Sequence, residues 1–132
     1  MEYLHFHHSC QHFDFHFCPN GSRLTNHSHA TLPTPSQISE WIIRVFYSSR
    51  DQGNRNRIYF VDIDLYYKPE IVRRSDGPVL DIGPPGTFDC DGVYVNCIVE
   101  EAGSLKLFYS GWNAGRDGYF YSSIGLAISR DN

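Results

Sequence analysis

Lysine is nearly absent: the 132 residues contain two, Lys68 and Lys106, and the formal charge is −4 with histidine neutral. A surface built for nucleic-acid phosphates carries clustered Lys and Arg, so this composition argues against a nucleic-acid partner. Long apolar runs are also missing. No stretch approaches the roughly 20 residues that take a helix across a bilayer, and no membrane span is expected. Residues 1–18 carry five histidines in place of a basic region followed by an apolar run, which excludes an ordinary secretory signal. The four cysteines, Cys10, Cys18, Cys90 and Cys97, show neither CxxC spacing nor a dense framework. A reduced, cytoplasmic protein with incidental thiols is expected, and no cofactor.

What is present is aromatic. Tyr and Phe number nine each, and glycine and proline punctuate the chain throughout. Such a composition favours strands over helices. The clearest pattern lies in residues 105–129, LKLFYSGWNAGRDGYFYSSIGLAIS, which echo residues 44–64, RVFYSSRDQGNRNRIYFVDID. Laying Phe46-Tyr47-Ser48 on Phe108-Tyr109-Ser110 gives an offset of 62 residues. In both copies an alternating run leads into a polar, turn-rich segment, and a second alternating run follows. Alternation on both sides of a turn predicts a hairpin, with 42–49 against 57–63 and 105–110 against 123–129. A hairpin recurring at this spacing suggests a repeat of four-stranded sheets.

The remaining segments fit an all-β chain. Pro19-Asn20-Gly21-Ser22 is a turn, and Pro33 and Pro35 suit an edge or pore-lining strand. Residues 71–74 read as a short strand. Gly83-Pro84-Pro85-Gly86 breaks regular structure. Residues 92–101, GVYVNCIVEE, read as a strand with Val93, Val95 and Cys97 on one side. Residues 1–14 are set apart as an N-terminal tail with solvated histidines, and 15–132 as one domain.

Four segments occur in a telling order: SHATLPTP (28–35), FYSSRDQGNRNRIYFVDID (46–64), PVLDIGPPGTFDCDGV (78–93) and LFYSGWNAGRDGYFYSSIGLAIS (107–129). Together they resemble the opening half of the five-bladed β-propeller glycoside hydrolase superfamily, which includes arabinanases, β-xylosidases and mannoside phosphorylases. The resemblance implies a partial propeller of about two four-stranded blades. It also implies a carbohydrate-active protein that hydrolyses or phosphorolyses a glycoside. The alternative is a non-catalytic carbohydrate-binding or structural fragment, and in either case two blades are expected to self-associate through exposed blade faces.

Glycoside cleavage uses two carboxyl groups flanking the scissile bond. By resemblance the candidates are Asp89 and Asp91 in TFDCDGV, although Cys90 stands where the branch pattern has a second acidic residue. The other reading makes both turn and strand-capping residues. His27 and His29, two apart, would share one face of a strand and contact a sugar or a structural neighbour; as metal ligands they lack a third partner. Arg50, Asp51, Arg55 and Arg57 surround the first hairpin turn. They suit sugar hydroxyls, a carboxylated sugar or a phosphate on one reading, and local ion pairs on the other. Trp112, Asn113 and the run Tyr119-Phe120-Tyr121 suit sugar C–H surfaces or packing between blades. His29, Asp51, Asp89 or Asp91, and Trp112 are expected to open toward one mouth.

Overall fold

The computed structural model describes Phe17, residues 26–115 and residues 117–129, and over these the chain is all-β. None of the described residues is helical, so no helix among them is long and apolar enough to cross a membrane. The tail 1–14 lies outside the described residues.

Strands β1 (Ser28–Gln37), β2 (Ile42–Arg50), β3 (Asn56–Asp64) and β4 (Glu70–Arg74) form a first sheet in chain order, each antiparallel to the next. Strands β5 (Gly92–Glu101), β6 (Ser104–Ala114) and β7 (Phe120–Ser129) form a second sheet in the same manner. Both anticipated hairpins are present, with Phe46 opposite Phe60 and Phe108 opposite Leu126. Short turns enforce this meander. Ala102 and Gly103, at φ 51° and 73°, make a two-residue loop whose left-handed backbone matches the twist of the strands it joins. At the β2–β3 turn the Asp51 carboxylate accepts the Arg55 N–H at 2.9 Å while Asn54 takes φ 61°.

Two expectations change at bulges. Cys97 does not share a face with Val93 and Val95, because the register of β5 slips between Val95 and Cys97. The extra residue inverts the alternation beyond it. Cys97 is therefore exposed, and Ile98 packs inward instead. In β1 the register shifts twice, and His29 and Leu32 sit at φ 68° and 55°. His27 precedes the strand and His29 falls within the first irregular stretch, so simple alternation does not put the two histidines on one face. Pro33 and Pro35 are accommodated because β1 is an edge strand, where a missing N–H costs no ladder bond on its open side.

The sheets pack face to face. Phe46, Ile58 and Phe60 of the first meet Val93, Val95, Leu105, Leu107 and Tyr109 of the second. Full burial of one such side chain contributes about 1.5–3 kcal/mol. The Val95 N–H also donates to Ser48 Oγ at 3.0 Å, tying the sheets together across the core. On the far face of the first sheet, Tyr47, Tyr59, Val61 and Ile63 form a second cluster, against which Phe17 packs edge-on to Tyr47. The first sheet thus buries apolar rows on both faces, which is why RIYFVDID reads as an almost unbroken apolar run.

The repeat determines which way each residue points. Tyr47 looks away from the second sheet, while Tyr109, at the equivalent place, looks back toward the first. Phe46 looks forward into the core at 5% exposure, whereas Phe108 looks forward into solvent at 37%. Leu126, opposite Phe108, is 50% exposed, against 7% for Phe60, the partner of Phe46. The second sheet therefore has one covered and one open apolar face.

Candidate functional site

The ends of β2 and β6 and the starts of β1 and β5 lie at one end of the sheets. The His27 N–H donates to the Arg50 carbonyl at 2.9 Å, and the Asp91 N–H to the Trp112 carbonyl at 3.1 Å. The turn 51–55, the loop 81–91, Gly115 and residues 117–119 gather there. Most of the anticipated site residues share this end, but their side chains do not all open into one space.

Asp51 and Arg57 are turned inward. Arg57 Nη1 donates to Asp51 Oδ2 at 2.5 Å and Arg57 Nε to Asp81 Oδ1 at 2.6 Å. Arg55 Nε adds a third contact, 3.0 Å to Asp51 Oδ2. Arg57 and Asp51 are each 6% exposed. Burial works to raise the Asp51 pKa. The Arg55 backbone N–H and the Arg57 hydrogen bond, helped by both guanidinium charges, outweigh it and hold the carboxyl below its ordinary value of 3.8. A lowered folded-state pKa means that Asp51 stabilises the fold above the unfolded value and loses that contribution as pH falls through the folded one. Thermal unfolding followed from pH 5 downward should show a declining midpoint across and below the ordinary carboxylate range. Asp51→Asn should flatten that decline, and an unchanged slope would separate the acid sensitivity from this carboxylate.

Asp89 is also committed. It is 8% exposed, with Oδ1 accepting from Thr87 Oγ1 at 2.7 Å and Oδ2 from the Tyr109 hydroxyl at 3.0 Å. Burial raises the Tyr109 pKa, and the hydrogen bond to the Asp89 carboxylate and its charge raise it further, so the phenol stays a donor. Gly111 makes this possible: a Cβ there would lie 2.5 Å from the Asp89 Cβ and 2.6 Å from the Phe88 ring. Gly125 does the same for Tyr109, whose ring occupies the space a Cβ would need. Asp91 caps the end of β6, its Oδ2 accepting the Ala114 N–H at 2.8 Å. Both carboxylates thus carry structural hydrogen bonds, and Asn113 Nδ2 reaches the Phe88 carbonyl at 3.3 Å.

His29 is exposed, its Nδ1 2.8 Å from Ser28 Oγ. Among the described residues no group of three or more His, Cys, Asp or Glu is arranged to hold a metal ion. Cys90 and Cys97 are free thiols.

The open space at this end is a cleft of about 460 Å3, lined by Arg50, Asn54, Tyr94, Trp112, Phe120 and Ser122. Arg50 and Trp112 were anticipated from the sequence as ligand contacts, and Phe120 as part of an aromatic loop. Tyr94 and Ser122 were not, because β5 and β7 reach the cleft only through the stacking of the sheets, and neither was Asn54 of the β2–β3 turn. Phe120 is 74% exposed and meets the Trp112 ring edge-on, with centroids 5.4 Å apart. Gly92 leaves room for the indole, since a Cβ would fall 2.2 Å from its Nε1, and that buried N–H has no partner among the described residues.

No family model matches the chain. Two relatives from Mycobacterium tuberculosis, the uncharacterized proteins MT1551 (strain CDC 1551 / Oshkosh) and Rv1502 (strain ATCC 25618 / H37Rv), are each 37% identical over 113 residues. That stretch covers 86% of this chain and 38% of each relative's length. The chain therefore spans well under half of the curated relatives it matches, and their descriptions assign them no activity.

A second cavity, of about 490 Å3, opens between the sheets on the β4 and β7 side, bordered by Arg44, Phe60, Arg73, Ile98 and Ala127. It lies where β4 has no counterpart strand among the described residues of the second sheet. Its walls are continuous with the core. The polar, aromatic cleft at the loop end is the better candidate for recognition.

Proposed function

We propose that the chain is a propeller-like, carbohydrate-binding unit whose ligand sits in the Arg50–Trp112 cleft. The observation that carries this reading is the aromatic pair of half-buried Trp112 and exposed Phe120 lining the cleft beside Arg50 and Asn54. Aromatic faces suit the C–H surfaces of sugars, and the polar groups around them supply the directional contacts a ring of hydroxyls needs. Consecutive antiparallel meanders, stacked with equivalent residues pointing forward and back, support the propeller part of the reading.

Hydrolysis or phosphorolysis of a glycoside is the second reading. Asp91 favours it: the carboxylate stands at the start of β5 with only one oxygen engaged among the described residues. Asp89 is the weaker candidate of the two, since both of its oxygens are already bonded and its surroundings exclude a substrate oxygen. A binding role is therefore the primary proposal. The same unit is proposed to self-associate through the open face of β5–β7.

Titrating the chain with neutral disaccharides, followed by tryptophan fluorescence and chemical shifts, tests the proposal. Trp112→Ala is expected to weaken binding about tenfold, the loss typical of truncating a central aromatic contact. Turnover of aryl glycosides, with and without phosphate, is expected to be absent. Turnover abolished by Asp91→Asn would replace the binding reading with the enzymatic one.

A further inference from the structure

We infer that the cleft is selective for sugars bearing an anionic oxygen group, a uronate carboxylate or a sugar phosphate, with Arg50 as the group that recognises the charge. The inference rests on reading the cleft as a carbohydrate site, and it comes from following the charges at this end of the molecule. Arg55 is paired with Asp51, and Arg57 is shared between Asp51 and Asp81. Both guanidinium charges are matched by these two carboxylates. Arg50 is different: among the described residues no carboxylate lies within ion-pair distance of it, and it lines the cleft itself.

The local wiring explains why no carboxylate among the described residues pairs with Arg50. Its backbone pairs with Ser28 on one side and Asn56 on the other, so no acid faces it across either ladder. Asp51, next in the chain, is held by the turn. Asp89 and Asp91 are bonded to the second sheet. Among the described residues no Asp or Glu lines the cleft, so an incoming anion meets no opposing charge from them on its walls.

The other walls strengthen the effect. Tyr94, Trp112 and Phe120 present low-dielectric surface, which strengthens an ion pair formed beside them. A guanidinium presents parallel N–H donors that match the paired oxygens of a carboxylate or phosphate. A neutral sugar would offer it only single hydroxyl oxygens. Asn54 and Ser122 can bind ring hydroxyls while Trp112 takes the ring face, leaving the charged substituent to Arg50.

The test uses the whole 132-residue chain and four probes: galactobiose, digalacturonate, galactose 1-phosphate and inorganic phosphate. Affinities are read by calorimetry at fixed ionic strength. At least one charged sugar should bind about tenfold tighter than galactobiose, the margin expected of charge-assisted over neutral hydrogen bonds. Whether digalacturonate or galactose 1-phosphate leads identifies the source of the charge. Arg50→Gln should erase the preference by weakening the charged probe far more than galactobiose, while Arg73→Gln, which removes an equal charge elsewhere, should preserve it. Equal affinity for galactobiose and both charged sugars overturns the inference and leaves the carbohydrate reading standing. Inorganic phosphate binding as tightly as galactose 1-phosphate overturns it too, by showing an ion site with no use for the ring. Failure of all three sugars to bind overturns the carbohydrate reading along with it.

Discussion

Replacing Asp62 with alanine is expected to cost about 3–5 kcal/mol of folding stability, the range for stranding one partner of a buried ion pair. Asp62 faces Arg44 directly across β2 and β3, and the two form a fork: Nε to Oδ1 at 2.8 Å and Nη2 to Oδ2 at 3.0 Å. Arg44 is 8% exposed and Asp62 5%. The guanidinium also lies over the Phe60 ring, 4.0 Å from its centroid. Removing the carboxylate leaves a cation in a largely apolar interior. The neighbouring cavity lets some water reach it, which places the cost toward the lower end of the range. Replacing both residues, Arg44→Met with Asp62→Leu, should cost much less, because apolar groups of similar size leave no charge to solvate. Urea unfolding of the three variants measures this. A loss below about 1 kcal/mol for Asp62→Ala, the worth of a solvated surface pair, would show that the pair is not effectively buried.

Self-association should disappear when the open face of the second sheet is charged. Phe108, Ile124, Leu126 and Ile128 stand on that face, exposed by 37%, 79%, 50% and 56%. The equivalent row of the first sheet, Phe46 and Phe60, is covered. Side chains in such a row each contribute about 1.5–3 kcal/mol when buried, so a second copy seated there recovers burial the lone chain lacks. Sedimentation velocity over a range of concentrations should show association of the unaltered chain. Ile124→Lys with Leu126→Lys should weaken it by about two orders of magnitude or more, the product of two lost burials. Both positions point away from the core, so the fold should persist, and an unchanged far-ultraviolet circular dichroism spectrum would verify that. A monomer at every concentration would mean that solvent tolerates the open face.

The strands were legible because alternation is a local property. Residues 42–49 and 105–110 carry it without help from distant contacts, and the turn residues between the runs fix the pairing register. Bulges were not legible. Nothing in GVYVNCIVEE marks the slip at Asn96, which depends on how β5 meets β6 and the Ser48 hydroxyl across the core. The anticipated site was half legible for a related reason. Arg50 and Trp112 lie in turn-flanking positions where charge and a large aromatic ring stand out. Tyr94 and Ser122 look ordinary until the sheets stack.

Composition and periodicity by themselves determined that the chain is all-β, that it carries two equivalent hairpins, and where the turns fall, since each depends on neighbours in sequence. The sequence also placed Asp51, Arg57, Asp89 and Asp91 at the loop end, because they flank those turns. Only the tertiary structure decided their employment. Whether a carboxylate is a ligand or a brace depends on the donors within hydrogen-bond reach. For Asp51 these donors are Arg55 and Arg57, and for Asp89 they include Tyr109, twenty residues away and in contact only because Gly111 and Gly125 leave room. The same reasoning applies to Arg50: that no carboxylate among the described residues reaches it is a fact about where the acids end up, and such facts exist only once the chain has folded.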